Sequence, residues 1–236
     1  MKIIACLMIV MTCLLAAGAA GQKKEPGFQS LFNGRDLSGW DGDPKFWSVK
    51  DGAITGVTRP EDQKREAQTY LIWKGGAVDD FELRIAYRLS GERVNTGISY
   101  RGVRQGNWMV NGYQADIESG EQWNGVLVEM GGRLHLARRG QKTLIDSTGK
   151  INVNGSLGSP DELQALIKKD DWNDYVVIAR GNHLTHKING RVMIEALDEQ
   201  TEKRALSGVL GLQLHHSYPQ TVQFKNIRIR KLSQKK

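Results

Sequence analysis

Only two cysteines occur in the 236 residues, Cys6 and Cys13, and both fall in one apolar stretch near the N-terminus. Without that stretch the chain has no thiol, so disulfide bridges and thiolate chemistry are excluded together. Long apolar runs are also missing. The longest, Ile3 to Leu15, is shorter than the ~20 residues that a membrane-spanning helix needs. It follows a single early cation, Lys2, and leads into the small residues Ala16 to Ala20. This layout is that of a secretory signal peptide, residues 1–20, with cleavage expected near Ala20 and Gly21. Cys13 follows Val10-Met11-Thr12 and so lacks the Leu-small-small context of a lipidated cysteine. The expected product is exported to the periplasm or beyond, unlipidated and without a membrane span. Absent too are a Walker loop, a nucleophile elbow, a zinc signature, an internal repeat and any low-complexity segment.

What is present is charge and alternation. The formal net charge is +7, but cations and anions are interspersed, and the terminal Lys231-Leu232-Ser233-Gln234-Lys235-Lys236 reads as a solvated tail. No nucleic-acid partner is expected from this balance. Residues 21–236 are enough for one all-β sandwich domain.

Strand follows strand along that length. Phe81, Leu83, Ile85, Tyr87 and Leu89 alternate with polar or small residues, which predicts a long strand with one apolar face. Asp51-Gly52, Gly181-Asn182 and Asn189-Gly190 each separate β-rich runs and predict tight hairpin turns. Counting from the last two predicts a three-stranded meander over Tyr175 to Ala196. In it His186 faces Val177 and Met193, Thr185 lies between Ile178 and Ile194, and both faces are largely apolar. Val222 and Phe224 differ in parity from Ile227 and Ile229, which predicts a bulge near Lys225-Asn226. Ser159-Pro160-Asp161-Glu162 predicts the start of one short surface helix with Leu163, Leu166 and Ile167 as its apolar stripe.

Candidate chemistry lies on strands that pair an apolar face with a polar one. Gln114, Asp116 and Glu118 alternate with Tyr113, Ala115 and Ile117. Asn95, Ser99 and Arg101 are expected opposite Ile98 and Tyr100, and Gln213 and His215 opposite Leu210, Leu212 and Leu214. Such planar amides, carboxylates and guanidinium groups suit a carbohydrate groove, for which Trp108, Trp123, Trp73 and Tyr113 could supply stacking rings, while Trp40 and Trp47 are expected in the core. A solvated sheet face gives the same alternation. Asp116 and Glu118, two apart on a strand, would hold their carboxylates roughly 6–7 Å apart, between the two glycosidase spacings. With His215 they could also hold a divalent cation. His186 reads as a hydrogen-bonded structural residue.

Five motifs, in order, resemble the 3-keto-disaccharide hydrolase domain family. They are the opening run Phe28 to Trp40; Asn95-Thr96-Gly97-Ile98 running to Arg101; Gly112-Tyr113-Gln114-Ala115-Asp116-Ile117; Trp172-Asn173 with His186-Lys187-Ile188-Asn189-Gly190; and Gly211 to His215 with Val222 to Ile227. The resemblance implies an all-β, concanavalin A-like jelly-roll sandwich of two antiparallel sheets. It also implies cleavage of glycosides oxidised to a ketone at C3, a ketone that a partner sugar 3-oxidoreductase could supply. Carried over, Asp116 or His215 would be the base, Arg101 and Gln114 would orient the sugar or stabilise an enolate, and Gln213 would bind hydroxyls. Asn95, Trp108 and Glu118 would contact substrate. A non-catalytic carbohydrate-binding module of the same fold is the alternative.

Overall fold

The computed structural model describes residues 25–64 and 68–233. The expected leader, with Cys6 and Cys13, and the final Lys235-Lys236 lie outside the described residues. In chain order the strands are β1 (Gln29–Ser30), β2 (Trp40–Asp41), β3 (Trp47–Lys50), β4 (Ala53–Thr58), β5 (Thr69–Trp73), β6 (Phe81–Ser90), β7 (Asn95–Gln105), β8 (Met109–Glu118), β9 (Leu127–Met130), β10 (Leu134–Ala137), β11 (Gln141–Ile145), β12 (Ile151–Ser156), β13 (Asn173–Arg180), β14 (His183–Ile188), β15 (Arg191–Asp198), β16 (Val209–Leu214) and β17 (Gln220–Lys231). A helix, α1 (Pro160–Gln164), joins β12 to β13, and a 3-10 turn at Pro60–Lys64 precedes β5.

Alternation decides which side of each strand meets the core. Phe81, Leu83, Ile85 and Tyr87 of β6, Tyr175 and Val177 of β13, Tyr113, Ala115 and Ile117 of β8, and Leu210, Leu212 and Leu214 of β16 all enter one apolar cluster. Each such side chain contributes about 1.5–3 kcal/mol on full burial, which is what holds two sheets face to face. One sheet has ten strands in the order β12-β11-β15-β14-β13-β6-β17-β4-β3, with β1 added on β17. The other has seven, β10-β9-β8-β7-β16-β5-β2. The pairing is antiparallel except that β11 runs parallel to β15. The result is the expected jelly-roll sandwich, and Trp40 and Trp47 lie in its core.

The turns follow the local chemistry. Asp51 and Gly52 both have positive φ, as do Asn189 and Gly190, the requirement of a type I′ hairpin. β17 carries its bulge where the parity changed, with Asn226 at φ 54° and a register shift between Lys225 and Arg228. Ser159 caps α1, its hydroxyl accepting from the Glu162 amide at 3.1 Å.

Three expectations need correction. His186 does sit across Val177, but a second bulge after it places Ile194 rather than Met193 opposite, and Thr185 faces Glu195. The meander also has one buried face, not two: along β13 the buried positions alternate with half-exposed or exposed ones. The helix ends at Gln164, before its stripe is complete, so Leu163 is buried while Leu166 is 38% exposed.

Candidate functional site

The seven-stranded sheet turns its polar positions away from the core, and strand register gathers them. Asp116 lies across Gly97 and Gln114 across Ser99. Ser99 also faces Gly211, and Gln213 faces Tyr70. The side chains close into a ring of hydrogen bonds. The Tyr70 hydroxyl donates to Gln114 Oε1 (3.1 Å), Gln114 Nε2 donates to Gln213 Oε1 (3.1 Å), and Gln213 Nε2 donates back to the Tyr70 oxygen (3.3 Å). Gln114 Nε2 also donates to Asp116 Oδ1 at 2.8 Å. Every member is buried, Asp116 being the most accessible at 8%. Tyr70, with Ile72 and Val110, forms a small apolar cluster on this same face.

Burial is the main influence on Asp116. It pushes the carboxyl up to about 7, the Gln114 hydrogen bond opposes it, and the charge of Glu118 adds to it. Among the described residues, Gln114 is the one side-chain donor within hydrogen-bond distance of this carboxylate. Burial acts the other way on His215, pulling the imidazole down to about 4 with help from stacked His216, whose ring centroid is 4.9 Å away. His215 is therefore neutral at pH 7. Its Nδ1 accepts from the Ser217 amide at 3.2 Å, which leaves the proton on Nε2.

Gly97 makes the ring possible. A Cβ there would lie 2.6 Å from Cγ and Cδ of Gln114 and 2.7 Å from its Nε2. Gly97→Ala should therefore drive Gln114 off Asp116, cost about 1–3 kcal/mol of stability by overpacking, and move the titration of Asp116 to higher pH. The acid limb of an activity profile, measured beside a melting curve, checks both effects.

Beyond this row the strands end in a second one. Asn95 pairs with Glu118, and the Asn95 carbonyl accepts from the His215 amide at 3.4 Å. These residues, with Trp123, Tyr218 and Arg93, line an open cleft of about 610 Å³. The expected pairing of Asp116 and Glu118 on one face is present, but Glu118 is turned to its own loop, where Oε1 accepts from the amides of Gln122 (2.6 Å) and Trp123 (2.5 Å).

The structure does not bring Arg101 to this site. A register shift after Tyr100 breaks the alternation that placed Arg101 beside Ser99. Its φ is 48°, and the guanidinium is buried among the carbonyls of Asp79 (2.8 Å), Gly181 (2.6 Å) and Ala205 (3.3 Å) and the carboxylate of Asp80 (3.0 Å). Tyr113 is a core residue whose hydroxyl donates to Asp198 at 2.6 Å, so it offers no stacking face. Trp108 is half-buried at the β7–β8 turn, donating from Nε1 to Asp41 at 2.9 Å, while its carbonyl holds the Tyr70 amide. Trp73 is half-buried and packs on the core. His186 is structural: its Nε2 meets the Tyr100 hydroxyl at 2.9 Å inside the sandwich. Tyr70 and Gly97 are the site members that alternation alone did not single out as functional, whereas Ser99 lies on the expected face across from Gln114. Among the described residues no three His, Asp or Glu side chains are grouped to hold a metal ion, and no helix is long and apolar enough to cross a membrane.

Solved structures share this fold. A candidate glycosyl hydrolase from Parabacteroides distasonis ATCC 8503 is 17% identical with a TM-score of 0.59, covering 87% of this chain and 99% of its own. The carbohydrate-binding module CBM66 from Bacillus subtilis is 14% identical with a TM-score of 0.54, over 82% of this chain and 96% of its own. A Bacillus subtilis protein with a galectin-like fold is 10% identical with a TM-score of 0.56, over 84% and 92%. No curated protein matches the chain. A family model matches residues 27–230, nearly all of the described chain, and by that match the protein belongs to the carbohydrate-related family of the 3-keto-alpha-glucoside-1,2-lyase-like domain.

Proposed function

We propose that this protein is an exported enzyme that cleaves 3-keto-glycosides by elimination, with Asp116 as the base. The observation that carries the reading is the buried Asp116 carboxyl, raised to about 7 and held by a single amide at the end of a closed polar ring. A base of that strength is half-ionised at neutral pH and suits proton abstraction beside a ketone. His215, pulled down to about 4, is too weak a base for the task and serves better as a neutral Nε2–H donor.

The chemistry then runs as follows. The C3 ketone acidifies the C2 hydrogen, which Asp116 takes, leaving an enolate whose charge rests on the C3 oxygen. The electron pair returns to form the C1=C2 double bond as the C1–O bond breaks, and the proton held by Asp116 passes to the departing oxygen. Water adding across the double bond completes a net hydrolysis. Gln213 uses one N–H on Tyr70 and keeps a second for the enolate, and His215 Nε2–H is a further donor one row along the strands. Such donors act through preorganised polarity. A sugar 3-oxidoreductase would supply the ketone.

Release of the aglycone from 3-keto-α-glucosides and from their unoxidised parents, with and without chelator, tests this. Cleavage of the keto forms alone is the expected result. Below pH 6 the rate should fall about tenfold per pH unit as Asp116 is protonated. Binding of both forms without cleavage of either would instead make the chain a carbohydrate-binding module, the role named for its Bacillus subtilis structural relative.

A further inference from the structure

We infer that Glu118 is a positioning residue: its carboxylate clamps the 118–124 loop so that Trp123 stands over the cleft as the platform for a second sugar ring. The inference rests on the reading of the site as a sugar site, and it departs from the sequence expectation that Glu118 touches substrate.

The loop is built around that carboxylate. Glu118 Oε1 accepts two consecutive amides, Gln122 and Trp123, at 2.6 and 2.5 Å. Charge-assisted bonds of this kind are roughly twice as strong as neutral ones. Asn124 locks the same loop from its other end, accepting from the Glu118 amide at 3.0 Å and donating to the Gly120 carbonyl at 2.9 Å. With its backbone fixed, Trp123 has its ring stacked on His135 at 4.4 Å and 14°, with the Arg138 guanidinium 5.4 Å from the ring centroid. The side chain so held lines the cleft. A flat, immobile indole packs against the apolar C–H face of a pyranose with little ordering cost.

The position of the cleft identifies the ring. Asn95, Glu118 and His215 lie two residues along their strands from Gly97, Asp116 and Gln213, a displacement of about 6–7 Å, which is the order of one sugar unit. A glycoside with its oxidised ring at Asp116 would place its leaving ring in this cleft, between Trp123 and Tyr218. The ligand class is therefore a two-ring glycoside, with an aryl glycoside as the nearest substitute.

Calorimetry on the full chain tests the inference without requiring turnover. The probes are an unoxidised α-linked glucose disaccharide and methyl α-glucoside, each titrated into wild type, Glu118→Ala, Glu118→Gln and Trp123→Ala, with melting curves to confirm folding. Glu118→Ala and Trp123→Ala should weaken the disaccharide at least tenfold and leave the methyl glucoside unchanged, while Glu118→Gln, whose amide oxygen still accepts both N–H groups, should keep most of the affinity. Equal disaccharide affinity in wild type and Trp123→Ala, or no disaccharide binding by wild type, would overturn the inference. If Glu118→Ala does not fold, Trp123→Ala and Glu118→Gln still decide it. Failure to cleave any keto-glycoside, with these affinity differences intact, would sink the proposed chemistry and leave the platform standing.

Discussion

Asp116→Asn is expected to abolish turnover and to make the protein more stable above pH 7. The activity loss should be on the order of 10²–10⁴-fold, the usual contribution of a positioned base. The stability gain follows from linkage. The carboxyl sits near 7 in the folded chain against an ordinary 3.8. Between those values the folded chain holds a proton that the unfolded chain has released, so stability is highest below pH 4 and falls as pH rises through 7. The gap is worth up to about 4 kcal/mol at 1.36 kcal/mol per pH unit. An asparagine carries no charge at any pH, its Oδ1 can still accept from Gln114 Nε2, and its variant should lack this slope. Melting curves of both proteins at pH 3 and pH 8 make the comparison: little difference at pH 3, where the carboxyl is protonated in both states, and a clear gain for the variant at pH 8. An unchanged slope would mean that Asp116 is not the group paying for its burial, and undiminished turnover would remove it from the chemistry.

The cost of burying Asp116 with so little compensation is what the proposed base would require, and it differs from the burial of a fully partnered carboxylate. Asp198 is a useful contrast. It is more deeply buried than Asp116, yet it accepts from Tyr113 and Arg133 at 2.6 Å each, so its charge has partners. Asp116 has one neutral amide.

The path from sequence to site was open where a rule of period two applied unbroken. Gln114, Asp116, Gln213 and His215 were placed on one face because the intervening Tyr113, Ala115, Leu212 and Leu214 had to enter a core. Hairpins at Asp51-Gly52 and Asn189-Gly190 were legible because few residues other than Gly, Asn and Asp accept positive φ. The same rule fails at a bulge. One extra residue after Tyr100 sends Arg101 elsewhere, and one on β15, Met193, slips the partner of His186 to Ile194. Tyr70 was hidden for another reason. Thr69-Tyr70-Leu71-Ile72-Trp73 is almost wholly apolar, since Leu71 packs in the main core and Tyr70 and Ile72 in a second cluster on the far face. A strand covered on both sides gives no parity to read. The contacts of Glu118 with its loop are to backbone amides, which no side-chain pattern reveals.

Arg101→Met should then lower stability by about 3–5 kcal/mol, a large part of the 5–15 kcal/mol that holds a typical domain together, and leave the chemistry of the folded fraction intact. The guanidinium has no exposed side-chain surface. It bridges the segment at Asp79 and Asp80, the β13–β14 turn at Gly181 and the loop at Ala205, and Asp80 Oδ1 in turn accepts the Gly181 amide at 2.8 Å. Methionine fills much of the volume but leaves three carbonyls without this donor and strips a buried carboxylate of its counter-charge, and unpaired buried groups are costly. Adding Asp80→Asn should recover part of the loss, because the stranded charge disappears with it. If Arg101 instead stabilised an enolate, its removal would cost about 10²–10³-fold in kcat, as loss of an oxyanion donor does, with only a modest change in melting temperature. Measuring kcat well below the variant's melting point, beside its denaturation curve, separates a bolt that fastens three loops from a group that touches the sugar.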